Sequence, residues 1–171
     1  MKIRMIAVLA MVAACLTASA AVAAVRVLSQ VGDWQAYGGT ATDGKATCGL
    51  STRGSGKYFS VKYFYGNSTF TIQMGSDSWK ITDRGKQKLT MRFDSNPVWK
   101  ATGSGFHFNN GQAALELTVN KDQLGGFMAE FRASNALRMT FEGTNASGWY
   151  VSLSGTNAIS QVFARCIQSM G

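Results

Sequence analysis

The sequence predicts a mainly β protein: an antiparallel β-sandwich or partly closed barrel with two short helices, one of them C-terminal. Three observations predict it. Apolar and polar residues alternate with period 2 in six separate segments. A single Pro and nineteen Gly punctuate the chain, many of the Gly in turn-forming clusters. Only two stretches, after Asn120 and after Ser154, change to helical spacing.

The first segment is set apart from the fold. Met1-Lys2-Ile3-Arg4 is basic, Met5 to Val22 carries no charge, and Ala21-Val22-Ala23 offers the A-x-A pattern of a signal-peptidase site. Residues 1–23 therefore read as a secretory signal peptide, and 24–171 as a single mostly-β domain. That domain is long enough to bury a core. Val12-Ala13-Ala14-Cys15 also resembles a lipoprotein box, which makes a lipid anchor at Cys15 the alternative. Leu16 to Ala24 continues the apolar run to its own A-x-A site, which favours ordinary cleavage. A diacylglyceryl mass on Cys15 decides between the two.

Short strands are expected at Asp33–Tyr37 and Ala46–Thr52. Phe59, Val61, Tyr63 and Tyr65 share one face of the next, and Phe70, Ile72 and Met74 alternate with Thr69, Thr71 and Gln73. Gly66-Asn67-Ser68 joins these two as a hairpin. Further strands are expected at Ser78–Ile81, Leu89–Phe93, Trp99–Thr102, Leu115–Val119, Leu137–Glu142 and Trp149–Leu153. Half-buried antiparallel strands place apolar residues inward and polar ones outward. The first helix follows Asn120, with Gln123 in capping-box position and Leu124, Phe127, Met128 and Phe131 as its stripe. Gly125 and Gly126 weaken it, by ~1 kcal/mol each relative to Ala. The second helix follows Ser154-Gly155-Thr156, with Ala158, Ile159, Val162, Phe163, Cys166 and Ile167 inward.

A hydrophobic share of 46% and an aromatic share of 11% fit a globular chain rather than a disordered one. After Ala24 no stretch is long and apolar enough to span a membrane, so no transmembrane segment is expected there. Without Lys2 and Arg4, fifteen Lys and Arg stand against nine acids, a net charge of +6. An exported basic protein meets envelope proteins or anionic surface polymers rather than nucleic acid. Its location is expected to be periplasmic or secreted. Cys48 and Cys166 are the only cysteines after the signal, and an oxidising compartment makes one disulfide the simplest pairing. Cys166, on the inner face of the last helix, would face the early strand that carries Cys48.

Catalytic groupings are sparse. Ser104, His107 and Asp94 are the residue types of a nucleophilic triad, but no G-x-S-x-G elbow accompanies them. The nine acids are not grouped as a carboxylate pair. Gly54-Ser55-Gly56 and Gly103-Ser104-Gly105 lack the following Lys-Ser/Thr of a phosphate loop. Two Cys and a lone His cannot fill a tetrahedral metal site without carboxylates, so no metal and no cofactor are expected. The strand from Lys57 to Tyr65 is aromatic and basic but lacks the glycines and order of an RNA-stacking motif. Its second face, Tyr58, Lys62 and Phe64, suits a partner or a glycan if exposed. Trp79 and Trp99 lie near turns and complete the expected binding residues, whereas Trp149 alternates with core residues.

Several of these features together resemble the invasion-associated locus B-like family of small exported alphaproteobacterial envelope proteins. They are the signal, Gly32-Asp33-Trp34, Cys48, and Trp149–Leu153 followed by Ser154-Gly155-Thr156-Asn157-Ala158 and a final helix. The chain departs from that pattern at Tyr37 and Gly38, where a Cys close after the Trp would stand. The resemblance implies a β-sandwich-like envelope protein without established catalytic residues. The resulting expectation is an exported, non-enzymatic binding or accessory module, an inhibitor or partner of an envelope protein. Two alternatives stand beside it: a small cell-wall or polysaccharide hydrolase that uses His107, and a binder of anionic lipid or lipopolysaccharide.

Overall fold

Period-2 alternation leaves each strand with one apolar face, and the computed structural model turns these faces onto one core. It describes residues 24–142 and 148–171; the expected signal segment and Cys15 lie outside them. The chain runs β1 (Ala24–Val31), β2 (Trp34–Thr40), β3 (Ala46–Gly54), β4 (Lys57–Phe64), β5 (Thr69–Ser76), β6 (Lys86–Phe93), β7 (Trp99–His107) and β8 (Ala113–Asn120). Then follow α1 (Lys121–Ala133), β9 (Ala136–Phe141), β10 (Trp149–Ser152) and α2 (Thr156–Gln168).

The expected sandwich-like packing comes from one continuous antiparallel sheet of ten strands, in the order β1-β2-β3-β4-β5-β8-β7-β6-β9-β10. The sheet is not closed: β1 and β10 are its edges. Its two ends nevertheless approach, because Trp34 Nε1 on β2 donates to Ser152 O on β10 at 3.1 Å. The ring of Trp34 meets Phe131 edge-on at 5.0 Å, and Phe93 meets Phe127 at 5.2 Å. Helix α1 thus carries Phe127 and Phe131 into the space the bent sheet encloses.

Cys48 and Cys166 form the expected disulfide, with Cα atoms 5.9 Å apart and a sequence separation of 118. Closing a loop that long restricts the unfolded chain by about 5 kcal/mol in the chain-entropy account. The bond fastens α2 to β3, and Gly38 makes room for it. Gly38 pairs with Cys48 across β2–β3, and a Cβ there would stand 2.6 Å from Cys166 Sγ.

Local details correct several expectations. No strand forms at Ser78–Ile81. Ser78 N donates to Ser76 Oγ and Trp79 N to Ser76 O, so the chain turns and drops Trp79 into the core. Strand β1 is additional to the expected set. As an edge strand it leaves Val25 and Val27 51% and 58% exposed, so it carries no core-facing alternation to be read. Strand β7 runs on to His107 although Gly103 and Gly105 take inward positions. Gly105 is bonded on both sides by the preceding loop: Arg84 N donates to its carbonyl, and its own N–H to Gly85 O. The capping box does not form at Asn120; Lys121 N instead donates to Ser68 O in the β4–β5 turn. In α2, Ala158 faces solvent and Ser160 is buried in its place. Thr156 Oγ1 donates to Phe131 O or Leu153 O, at 2.8 and 2.7 Å, pinning the start of α2 to the end of α1.

Candidate binding surface

The outer face of the sheet is built from cross-strand neighbours. Gln35, Ser51, Ser60, Gln73, Glu116 and Ser104 lie opposite one another across β2, β3, β4, β5, β8 and β7. A parallel row runs Arg53, Tyr58, Gly75, Ala114 and Phe106. The two small residues in that row leave a trough between Tyr58 and Phe106. Phe108, from the β7–β8 loop, fills it, edge-on to Tyr58 at 5.0 Å and to Phe106 at 4.9 Å. A Cβ on Gly75 would stand 3.0 Å from the Phe108 ring.

This face carries a broad open groove of about 660 Å³, floored by Lys62 and Gln73 and walled by Arg53, Phe106, His107 and Phe108. The polar groups of its floor are paired. Lys62 Nζ donates to Gln73 Oε1 at 2.5 Å, and Gln73 Nε2 to Glu116 Oε2 at 2.7 Å. Burial pushes the Lys62 ammonium below its usual pKa, and the charge of Glu116 opposes that shift. His107 Nδ1 pairs with Asp83 Oδ1 at 2.6 Å at the end of β7. Beneath the groove, Gly49 lets Tyr37 lie across β3, because a Cβ there would run into the Tyr37 ring. Tyr37 Oη and Ser60 Oγ lie near the Tyr58 hydroxyl but make no hydrogen bond. Burial first, and the neighbouring phenol second, push the Tyr37 pKa up; burial also raises that of Tyr58.

A second concavity lies at the seam where the ends of the sheet approach. It measures about 400 Å³ and runs along all four residues of β10, from Trp149 to Ser152. The opposite wall is the β1–β2 turn at Gly32–Trp34 and the β3–β4 hairpin from Thr52 to Phe59. That hairpin turns on Ser55 and Gly56, at φ 49° and 69°, the paired positive values of a type I′ loop. Arg53 and Lys57 flank the turn, both line the cleft, and Asp33 is the single acid there. Four cations in the described residues sit over aromatic rings, and three of those rings line the cleft. Arg53 lies over Tyr58 at 5.0 Å, Lys57 over Trp149 at 5.8 Å and Arg138 over Tyr150 at 5.8 Å. A ring holds a cation in place without neutralising it. Arg53 lines groove and cleft alike and joins them into one surface.

Of the five residues expected to bind, Tyr58, Lys62 and Phe64 share the outer face of β4 and are half-buried. Trp79 does not reach the surface: it is 5% exposed and packs edge-on to Phe141 at 4.9 Å. Trp99 is half-buried against Phe127 at 5.6 Å. A position near a turn exposes a Trp only where no core wall lies behind it, and both have one.

Ser104, His107 and Asp94 are not brought together as a triad. Ser104 and His107 stand three apart on β7, each with a partner outside the triad. Ser104 Oγ accepts from Lys86 Nζ, and His107 pairs with Asp83. Asp94, at φ 46°, accepts from the backbone N–H groups of Asn135 and Ala136 and fastens the turn after β6.

Sequence reasoning missed Arg53, Lys57, Phe108 and Tyr150 as surface-forming residues. The signal for two of them was present, since Arg53 and Lys57 flank a Ser-Gly hairpin turn between alternating strands. No protein-family model, no curated protein and no solved structure matches the chain.

Proposed function

We propose that the chain is an exported envelope protein, periplasmic or secreted, that works as a non-catalytic binding or accessory module. Its partner surface is the seam cleft together with the adjoining rim of Arg53 and Tyr58. The observation that carries this reading is the gathering of two ring-held cations, Arg53 and Lys57, on one concavity whose single acid is Asp33. Such cations keep their charge for a partner while their side chains are already ordered, which lowers the entropic cost of binding. The long-range disulfide further supports export. Membership of the invasion-associated locus B-like group belongs to the same proposal and rests on the short motifs at the two ends of the chain.

The test is crosslinking in intact cells, followed by recovery of the tagged protein and mass spectrometry. One dominant envelope protein is expected, lost when Arg53 and Lys57 are both changed to Glu. Recovery that ignores both substitutions would refute the surface. If the purified chain instead binds lipopolysaccharide, steeply weakened by salt and with no protein partner recovered, the anionic-polymer reading replaces this one. Turnover of a wall polysaccharide, abolished by His107→Ala in a folded protein, would replace it with the hydrolase.

A further inference from the structure

Resting on the binding-module reading, we infer that the seam cleft receives an extended, acidic segment of a partner protein, which adds a strand to the free edge of β10. Leu153 N–H donates to Asn135 O at 2.9 Å, continuing the antiparallel pairing of β9 with β10. In such a ladder the hydrogen-bonding residues alternate. Residues 149, 151 and 153 therefore turn their backbone groups toward β9, and Tyr150 and Ser152 turn theirs away. Trp34 Nε1 confirms that direction independently, because it reaches Ser152 O from the cleft side.

β10 is the last strand of the sheet, so no neighbour takes the outward groups. The Tyr150 N–H, the Tyr150 carbonyl and the Ser152 N–H have no backbone partner among the described residues. They form a donor–acceptor–donor row at strand spacing, which the backbone of another strand complements and a saccharide does not. The cleft lies along this row. Its charge selects the segment: Arg53 and Lys57 line the cleft against a single acid, Asp33. Acidic side chains on the added strand would meet the two cations held on the opposite wall.

The test begins with peptides selected from a random library on the folded, disulfide-bonded protein. The best binder is then synthesised with and without N-methyl groups on alternate amides. Selected peptides should be rich in Asp and Glu, and N-methylation should weaken binding by about tenfold or more. Tyr150→Pro should do the same, since Pro is tolerated at an edge position whose N–H faces outward. Tyr150→Ala, which keeps the N–H, should lose less. Bound peptide should slow hydrogen exchange at the Tyr150 and Ser152 amides. Should Tyr150→Pro fail to fold, the methylated peptide and the exchange measurement decide alone.

Selection of no peptide, binding indifferent to N-methylation, or unprotected amides at both residues would overturn the inference. A cellular partner lost with Arg53→Glu and Lys57→Glu but retained by a folded Tyr150→Pro would overturn it while leaving the binding module intact. Indifference to all three substitutions would remove the module's surface as well.

Discussion

The outer-face groove and the seam cleft share Arg53 but treat their polar groups in opposite ways. In the groove, Lys62, Gln73 and Glu116 satisfy one another, His107 is paired with Asp83, and Phe108 closes the trough between Tyr58 and Phe106. In the cleft, Arg53 and Lys57 rest on rings, and the backbone edge of β10 faces open space. A polar group that is already bonded must lose that bond to meet a ligand, so its net contribution to affinity is small. The larger concavity is therefore the less available one. Size alone points to the groove; unsatisfied chemistry points to the cleft.

The harshest way to break this comparison is to remove the frame that both regions share. Replacing Cys48 and Cys166 together by Ala should cost about 5 kcal/mol in urea unfolding, and both surfaces should be lost with the fold. An unchanged unfolding midpoint would show that α2 is held without the bond. A smaller effect separates the two regions. Lys57→Glu should weaken partner capture by about tenfold or more, whereas Lys62→Glu should weaken it by less. The reverse order, measured by titration against the recovered partner, would transfer the binding role to the groove.

Smaller still is the effect of breaking the groove's own network. Gln73→Ala removes the bridge between Lys62 and Glu116 and should cost about 1 kcal/mol of stability with partner affinity unchanged. Loss of affinity in that variant would mean that the bridge takes part in binding.

The smallest expected change has the opposite sign. Tyr37→Phe and Ser60→Ala each delete a buried hydroxyl that makes no hydrogen bond, so each should be neutral or stabilising by up to about 1 kcal/mol. Tyr37→Phe also tests the pH dependence. The folded chain keeps the Tyr37 and Tyr58 protons where the unfolded chain has begun to release them. Stability from this source is intact below about pH 10 and falls as the pH rises above it. Phenolate absorbance in an alkaline titration should report Tyr37 only as the protein unfolds, and Tyr37→Phe should shift that unfolding to higher pH. A Tyr37 that ionises in the folded state would show that its burial is incomplete.

Much of the fold was legible because period-2 alternation is a local property. Phe59, Val61 and Tyr63 face the core because every second residue must share a face, whatever the strand pairs with. Phe127 and Phe131 are inward for the matching reason of helical spacing, and the two cysteines among the described residues admit one intramolecular bond. Tyr58, Lys62 and Phe64 were legible as one outward face by the same alternation. What stayed hidden depends on contacts between segments far apart in the chain. Trp79 reads like an exposed Trp because its burial comes from Phe141 and Trp149, more than sixty residues away. Strand β1 leaves no alternation because an edge strand with exposed side chains has no face to hide. The cleft needs the β3–β4 hairpin beside β10, a proximity that only the bend of the whole sheet creates. Local periodicity thus determined which residues are strand, helix, core and surface. The tertiary structure alone decided which strand is left unpaired and which cations gather beside it, because both follow from the order of strands in the sheet.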